Sequence, residues 1–124
     1  MDTKFYVCKI CGNIITYVHR SGVKVVCCGQ EMTELVPNTV DASTEKHVPV
    51  VSVQGNKVHV KVGAVEHPML AEHYIEWIVI QTKNGLQRKE LHPGEKPEAD
   101  FFLAPNDKFE TAFAYCNLHG LWKA

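Results

Sequence analysis

No stretch of this sequence approaches the roughly 20 consecutive apolar residues that span a bilayer, and its start, Asp2-Thr3-Lys4-Phe5-Tyr6, holds no apolar signal region. A cytoplasmic protein that does not enter membranes is the expectation. An excess of one charge is also missing. Thirteen Lys and Arg stand against 14 Asp and Glu, a formal net charge of −1, so nothing drives the chain in bulk toward nucleic acid. No internal repeat or low-complexity tract is visible, and no helical periodicity of any length, which sets aside repeat arrays and helical bundles.

The 124 residues do contain 5 cysteines and 7 histidines. Disulfides are a poor account of the cysteines. Cys8-x-x-Cys11-Gly12 and Cys27-Cys28-Gly29 have the tight spacing of metal knuckles. A vicinal pair closes on itself only with strain, and the odd count leaves Cys116 over. Cys8, Cys11, Cys27 and Cys28 therefore read as a tetrahedral four-sulfur site, which iron and zinc both accept. Adjacent Cys27 and Cys28 should span an ideal tetrahedral edge with difficulty, which tilts the reading toward iron. The glycine after each cluster suits a knuckle with positive φ. The first 36 residues read as a small module that needs its metal, or a dimer partner, to fold. Within it, 13–19 and 23–27 have strand character around an Arg20-Ser21-Gly22 turn.

Residues 37–44 are polar and turn-rich and read as a linker. Beyond it, strands are expected at 48–53 and 57–62 around Gln54-Gly55-Asn56, and at 74–82 and 86–91 around Lys83-Asn84-Gly85. Two more fall at 99–104 and 108–115. Ile75, Trp77 and Val79 should share one face, as should Phe109, Thr111, Phe113 and Tyr115. Six or seven short strands over this length fit an immunoglobulin-like antiparallel β-sandwich. The whole chain is thus expected to be mainly β, with a metal ribbon at 1–36 and a sandwich at 37–124.

A second donor set lies in loop-like positions of the sandwich: His47, His67, His73, Cys116 and His119. His67 and His73 end one loop, His47 begins a strand, and Cys116 and His119 leave the last strand. Structural zinc sites close at four ligands. Four imidazoles and one thiolate suit a redox iron with a sixth position open to something small. His19, His59 and His92 read as solvated strand or turn residues.

These motifs resemble the desulfoferrodoxins, the two-iron superoxide reductase family. The resemblance rests on the C-x-x-C-G and C-C-G pair, Glu45-Lys46-His47-Val48-Pro49-Val50, Lys61-Val62-Gly63 through His67-Pro68-Met69, His73-Tyr74-Ile75-x-Trp77, and Cys116-Asn117-Leu118-His119-Gly120. It spans essentially the whole chain, in order and without departure at a ligand position. It implies two irons per chain. One is an FeS4 centre at Cys8, Cys11, Cys27 and Cys28, in a desulforedoxin-like module. The other is a catalytic iron with His47, His67, His73 and His119 equatorial and Cys116 axial. It further implies reduction of superoxide to hydrogen peroxide without release of dioxygen, a rubredoxin-like electron donor, and a homodimer in an anaerobic or microaerophilic prokaryote. Glu45 would ligate the ferric iron after peroxide leaves, since a carboxylate is a hard ligand.

Physical chemistry agrees with that assignment. Four neutral imidazoles and one thiolate leave Fe(II) with a local charge of +1, which attracts an anion. Lys46 would add positive potential at the mouth and steer superoxide. The backbone N–H groups of Leu118 and His119 are placed to tune the Cys116 sulfur. Three competing readings are an electron-transfer protein with two iron relays, a zinc-ribbon interaction module, and a superoxide dismutase. The cysteinate ligand and the need for an outside donor argue against the dismutase.

Overall fold

A computed structural model describes residues 2–124, which divide into two compact units, one ending at Val36 and the other running from Pro37 to Ala124.

In the first unit, β1 (Phe5–Val7) is paired on one side with β2 (Ile14–Ile15) and on the other with β5 (Thr33–Leu35), while β3 (Val26–Cys27) and β4 (Gln30–Glu31) form a separate hairpin. The expected strands at 13–19 and 23–27 thus shrink to two residues each. They do not pair with each other, because β3 turns back on β4 through Cys28-Gly29. Only Phe5, Tyr6 and Cys8 are buried among the described residues of this unit. So small a core stabilises little, and a bound metal is the natural source of its order.

The second unit begins with α1 (Thr44–His47), a single helical turn, and continues with β6 (Pro49–Gln54), β7 (Lys57–Val62), β8 (Ile75–Thr82), β9 (Gly85–Glu90), β10 (Glu98–Phe102), β11 (Phe109–Cys116) and β12 (Gly120–Lys123). One sheet runs β10-β7-β6 and the other β12-β11-β8-β9, every pairing antiparallel. The two sheets enclose Val58, Val60 and Val62 from β7, Phe101 from β10, Ile78 and Ile80 from β8, and Ala112 and Ala114 from β11. Burying one such large aliphatic side chain contributes about 1.5–3 kcal/mol. This is the expected antiparallel sandwich.

Two face assignments from simple alternation fail, both at bulges. Ile75 pairs with Cys116 and Trp77 with Tyr115, so the register slips at Glu76. Ile75 therefore joins Ile78 and Ile80 in the core, while Trp77 stacks on Tyr115 with ring centroids 5.4 Å apart. A second slip between Phe109 and Thr111 turns Phe109 toward the core. An inserted residue inverts the alternation beyond it, and the sequence carries no sign of it. The supposed linker is also partly structured. Asn38 adds a rung beside β12, its N–H donating to the Leu121 carbonyl at 3.0 Å and its Oδ1 accepting from Lys123 N–H at 2.9 Å.

Candidate metal centres

The ligand atoms of Cys8, Cys11, Cys27 and Cys28 all lie within 4.8 Å of one another. Cys11 Sγ is 3.6 Å from Cys27 Sγ, and Cys27 Sγ is 4.0 Å from Cys28 Sγ. Metal–sulfur bonds of about 2.3 Å in a regular tetrahedron require edges of about 3.8 Å. The adjacent pair therefore spans a near-regular edge, and the strain expected of it is not needed. Cys28 manages this with φ at 52°, between knuckle glycines at 84° (Gly12) and 75° (Gly29). The four sulfurs cannot all be thiolates without a cation. The Cys11 and Ile10 N–H groups lower the Cys8 thiol to about 6, whereas hydrogen bonding with Cys11 and Cys8 raises Cys28 to about 12. A bound metal ion removes that conflict.

The second cluster gathers His47, His67, His73 and Cys116 within the same 4.8 Å limit. Each residue arrives from a different piece of chain. His47 closes α1 rather than beginning a strand, as its sequence position suggested. His67 follows β7, its N–H donating to the Val62 carbonyl at 3.0 Å. His73 is bridged to Leu70 ahead of β8. Cys116 ends β11, where it pairs with Gly120 across the turn holding His119. His119 completes the group. Its Nδ1 is 3.2 Å from His47 Nε2 and 3.9 Å from Cys116 Sγ.

The protonation pattern follows from the surrounding carbonyls. His47 Nδ1 is 2.6 Å from the Ser43 carbonyl and His67 Nδ1 is 2.7 Å from that of Pro68. A carbonyl only accepts, so both Nδ1 atoms carry the proton and both Nε2 atoms present lone pairs. Those two Nε2 atoms face each other at 3.2 Å. His73 Nε2 is buried with no hydrogen-bond partner among the described residues. Lone pairs converging on a point that no protein donor fills are the arrangement a cation satisfies.

Burial keeps these groups neutral. It lowers His67 to about 4, and it pushes His47 and His73 down as well. Cys116 is fully buried, which raises its thiol, while the Leu118 and His119 N–H groups pull the other way by donating to the sulfur. Trp122, which the sequence reading passed over, supports two of the donors. Its ring stacks on His47 at 4.9 Å, and its Nε1–H donates to the His119 carbonyl at 3.0 Å. The Leu121-Trp122 apolar pair after Gly120 was the available signal. Ser43 and Pro68 act through backbone carbonyls, which leave no residue signature.

Lys46 is exposed, and its charge helps to depress His47 and His73. Glu45 is exposed on the same turn and stands outside the donor cluster. His19 and His92 are exposed. His59 is half-buried on β7 and bonds Asp100 at 2.7 Å, so none of the three joins a metal cluster.

A four-thiol ribbon and a sandwich bearing a four-histidine, one-cysteine cluster together define a two-centre metalloprotein. Residues 2–35 match the family model for the desulfoferrodoxin N-terminal domain, and residues 39–124 match the desulfoferrodoxin model. The chain belongs to the desulfoferrodoxin family. It is 49% identical to a desulfoferrodoxin homolog of Archaeoglobus fulgidus, over 96% of this chain and 94% of that one. It is 45% identical to the desulfoferrodoxin of Nitratidesulfovibrio vulgaris, over 98% and 94%. Its structure is similar to that of the superoxide reductase from Treponema pallidum, with a TM-score of 0.84 and 39% identity over 100% of this chain and 99% of that one.

Proposed function

We propose that this chain is a superoxide reductase, with electrons from a rubredoxin-like donor and two irons per chain. The observation that carries the reading is the convergence of four imidazoles on the one buried Cys116 sulfur. Cys8, Cys11, Cys27 and Cys28 would hold the FeS4 iron, and His47, His67, His73, His119 and Cys116 the catalytic one. Bound iron supplies the one-electron couple that reduces superoxide to hydrogen peroxide, with two protons from water.

The chain's own residues do the rest. Burial favours the neutral form of the His47, His67 and His73 imidazoles, so their lone pairs are free to bind a metal ion. The N–H groups of Leu118 and His119 temper the basicity of the Cys116 sulfur. Lys46, exposed and next to His47 in the chain, draws the anion in. Glu45, two residues before His47, would supply a carboxylate ligand to the oxidised iron. Its hardness favours the ferric state. A homodimer in the cytoplasm completes the proposal. No helix among the described residues is long and apolar enough to cross a membrane.

The test is pulse radiolysis of the iron-loaded protein beside Cys116→Ser. The wild type should consume superoxide without producing dioxygen. The variant should lose both that activity and the sulfur-to-iron charge-transfer band. An active serine variant removes Cys116 from the mechanism, and a wild type that only exchanges electrons with a donor is a two-iron relay.

A further inference from the structure

Three of the four histidines present Nε2 or Nδ1 to the centre with visible support from the fold, but His73 is held differently. His47 and His67 are each fixed by a carbonyl on the second ring nitrogen, at 2.6 Å and 2.7 Å. His119 lies in the tight turn after Cys116, where the Trp122 indole N–H donates to its carbonyl. The ring of His73 has no such carbonyl among the described residues, and its Nε2 is buried and unpartnered. Its direction must be set through its backbone.

Asn117 supplies that constraint. Its Oδ1 accepts from the Tyr74 N–H at 3.0 Å, and its Nδ2 donates to the Glu72 carbonyl at 3.1 Å. The two bonds land on the residues immediately before and after His73. The Asn117 N–H adds a third bond, to the Tyr74 carbonyl at 3.2 Å. Asn117 also follows Cys116 directly, so one carboxamide ties the His73 segment to the Cys116 turn, although Tyr74 and Asn117 are 43 positions apart. The task demands a short side chain with a donor and an acceptor at its tip. Asp has no donor, Ser has a single oxygen, and Gln is one methylene too long.

We propose that Asn117 is a positioning residue, which sets the reach and angle of His73 toward the metal by clamping both of its flanking peptides. The inference rests on the reading of this cluster as a metal centre. Removing a partner that orients a ligand commonly costs 10- to 100-fold in metal affinity.

The experiment uses the full chain and Co(II) as probe, with affinity measured by chelator competition and site geometry by the thiolate-to-cobalt absorption. Four proteins are compared: wild type, Asn117→Ala, Asn117→Asp, and Asn117→Ala in a His73→Gln background. Asn117→Ala should bind cobalt at the histidine–cysteine centre about 10-fold or more weakly, with a shifted band, while the four-cysteine centre is unchanged. Asn117→Asp keeps the acceptor for Tyr74 N–H and should fall between, which also secures the test if the alanine variant folds poorly. In the His73→Gln background, Asn117→Ala should cost nothing further in affinity. An unchanged affinity and band in both single variants overturns the proposal, and so does an undiminished loss in the double variant, which would mark a merely structural role. A wild type with no thiolate-to-cobalt band at this centre defeats the metal-centre reading itself, a distinct result.

Discussion

The carbonyl oxygen of Glu45 occupies the space where a side chain on Gly63 would be: a Cβ there would lie 2.6 Å away. The same Cβ would meet the Lys46 carbonyl carbon and the Val48 carbonyl oxygen, each at 3.0 Å. All three neighbours are backbone and cannot swing aside. The Glu45 carbonyl also accepts from Val65 N–H at 2.9 Å, so the one-turn helix bearing Lys46 and His47 is seated on the loop after β7.

Gly63→Ala should therefore displace the helical turn and His47 with it. Overpacking of this kind costs about 1–3 kcal/mol. Denaturant unfolding should show that loss, and iron analysis should show less metal at the histidine–cysteine centre with the FeS4 spectrum kept. Equal stability and full iron content would mean that the turn is not held by this contact.

Cys11→Ser should abolish the FeS4 spectrum and leave the sandwich iron in place, because the two clusters share no ligand. Loss of both irons from this one change would contradict two independently loaded centres. Metal analysis with the visible spectrum decides it.

Lys46→Ala should slow the bimolecular reaction with superoxide about ten-fold or more, as electrostatic focusing commonly changes association rates by about 10 to 10³. The wild-type rate should fall as salt is added, and the variant's should fall less. A pulse-radiolysis rate indifferent to both would reduce Lys46 to a surface charge.

Acid should destabilise the metal-free chain. Burial lowers His67 to about 4 in the fold, while in the unfolded chain it stays near 6.5, its ordinary value. Between these values the unfolded state binds more protons, so stability falls as pH drops from about 6.5 to about 4. His47 and His73 shift in the same direction and add to the slope. Urea midpoints measured with chelator at several pH values should decline across this window, and less so in His67→Gln. Flat midpoints would show that the imidazoles are not buried in the metal-free state.

The order of residues alone shows which chemistry is available and where most strands run. Cysteine and histidine are few and chemically distinctive, so their spacing survives reading in one dimension. The turn residues around 55 and 84 bracket β6 through β9 for the same reason, because only certain residues allow such reversals. Tertiary structure alone decided which way each donor faces. The bulge at Glu76 inverted an alternation that looked regular, since a single unpaired residue changes no local propensity. The protons of His47 and His67 are placed by the carbonyls of Ser43 and Pro68, which every residue type possesses. Nothing in the sequence around Asn117 names its partners; the fold brings Glu72 and Tyr74 to its carboxamide. Hydrogen-bond partners supplied by the backbone carry no letter of the sequence, so only the folded chain reveals them.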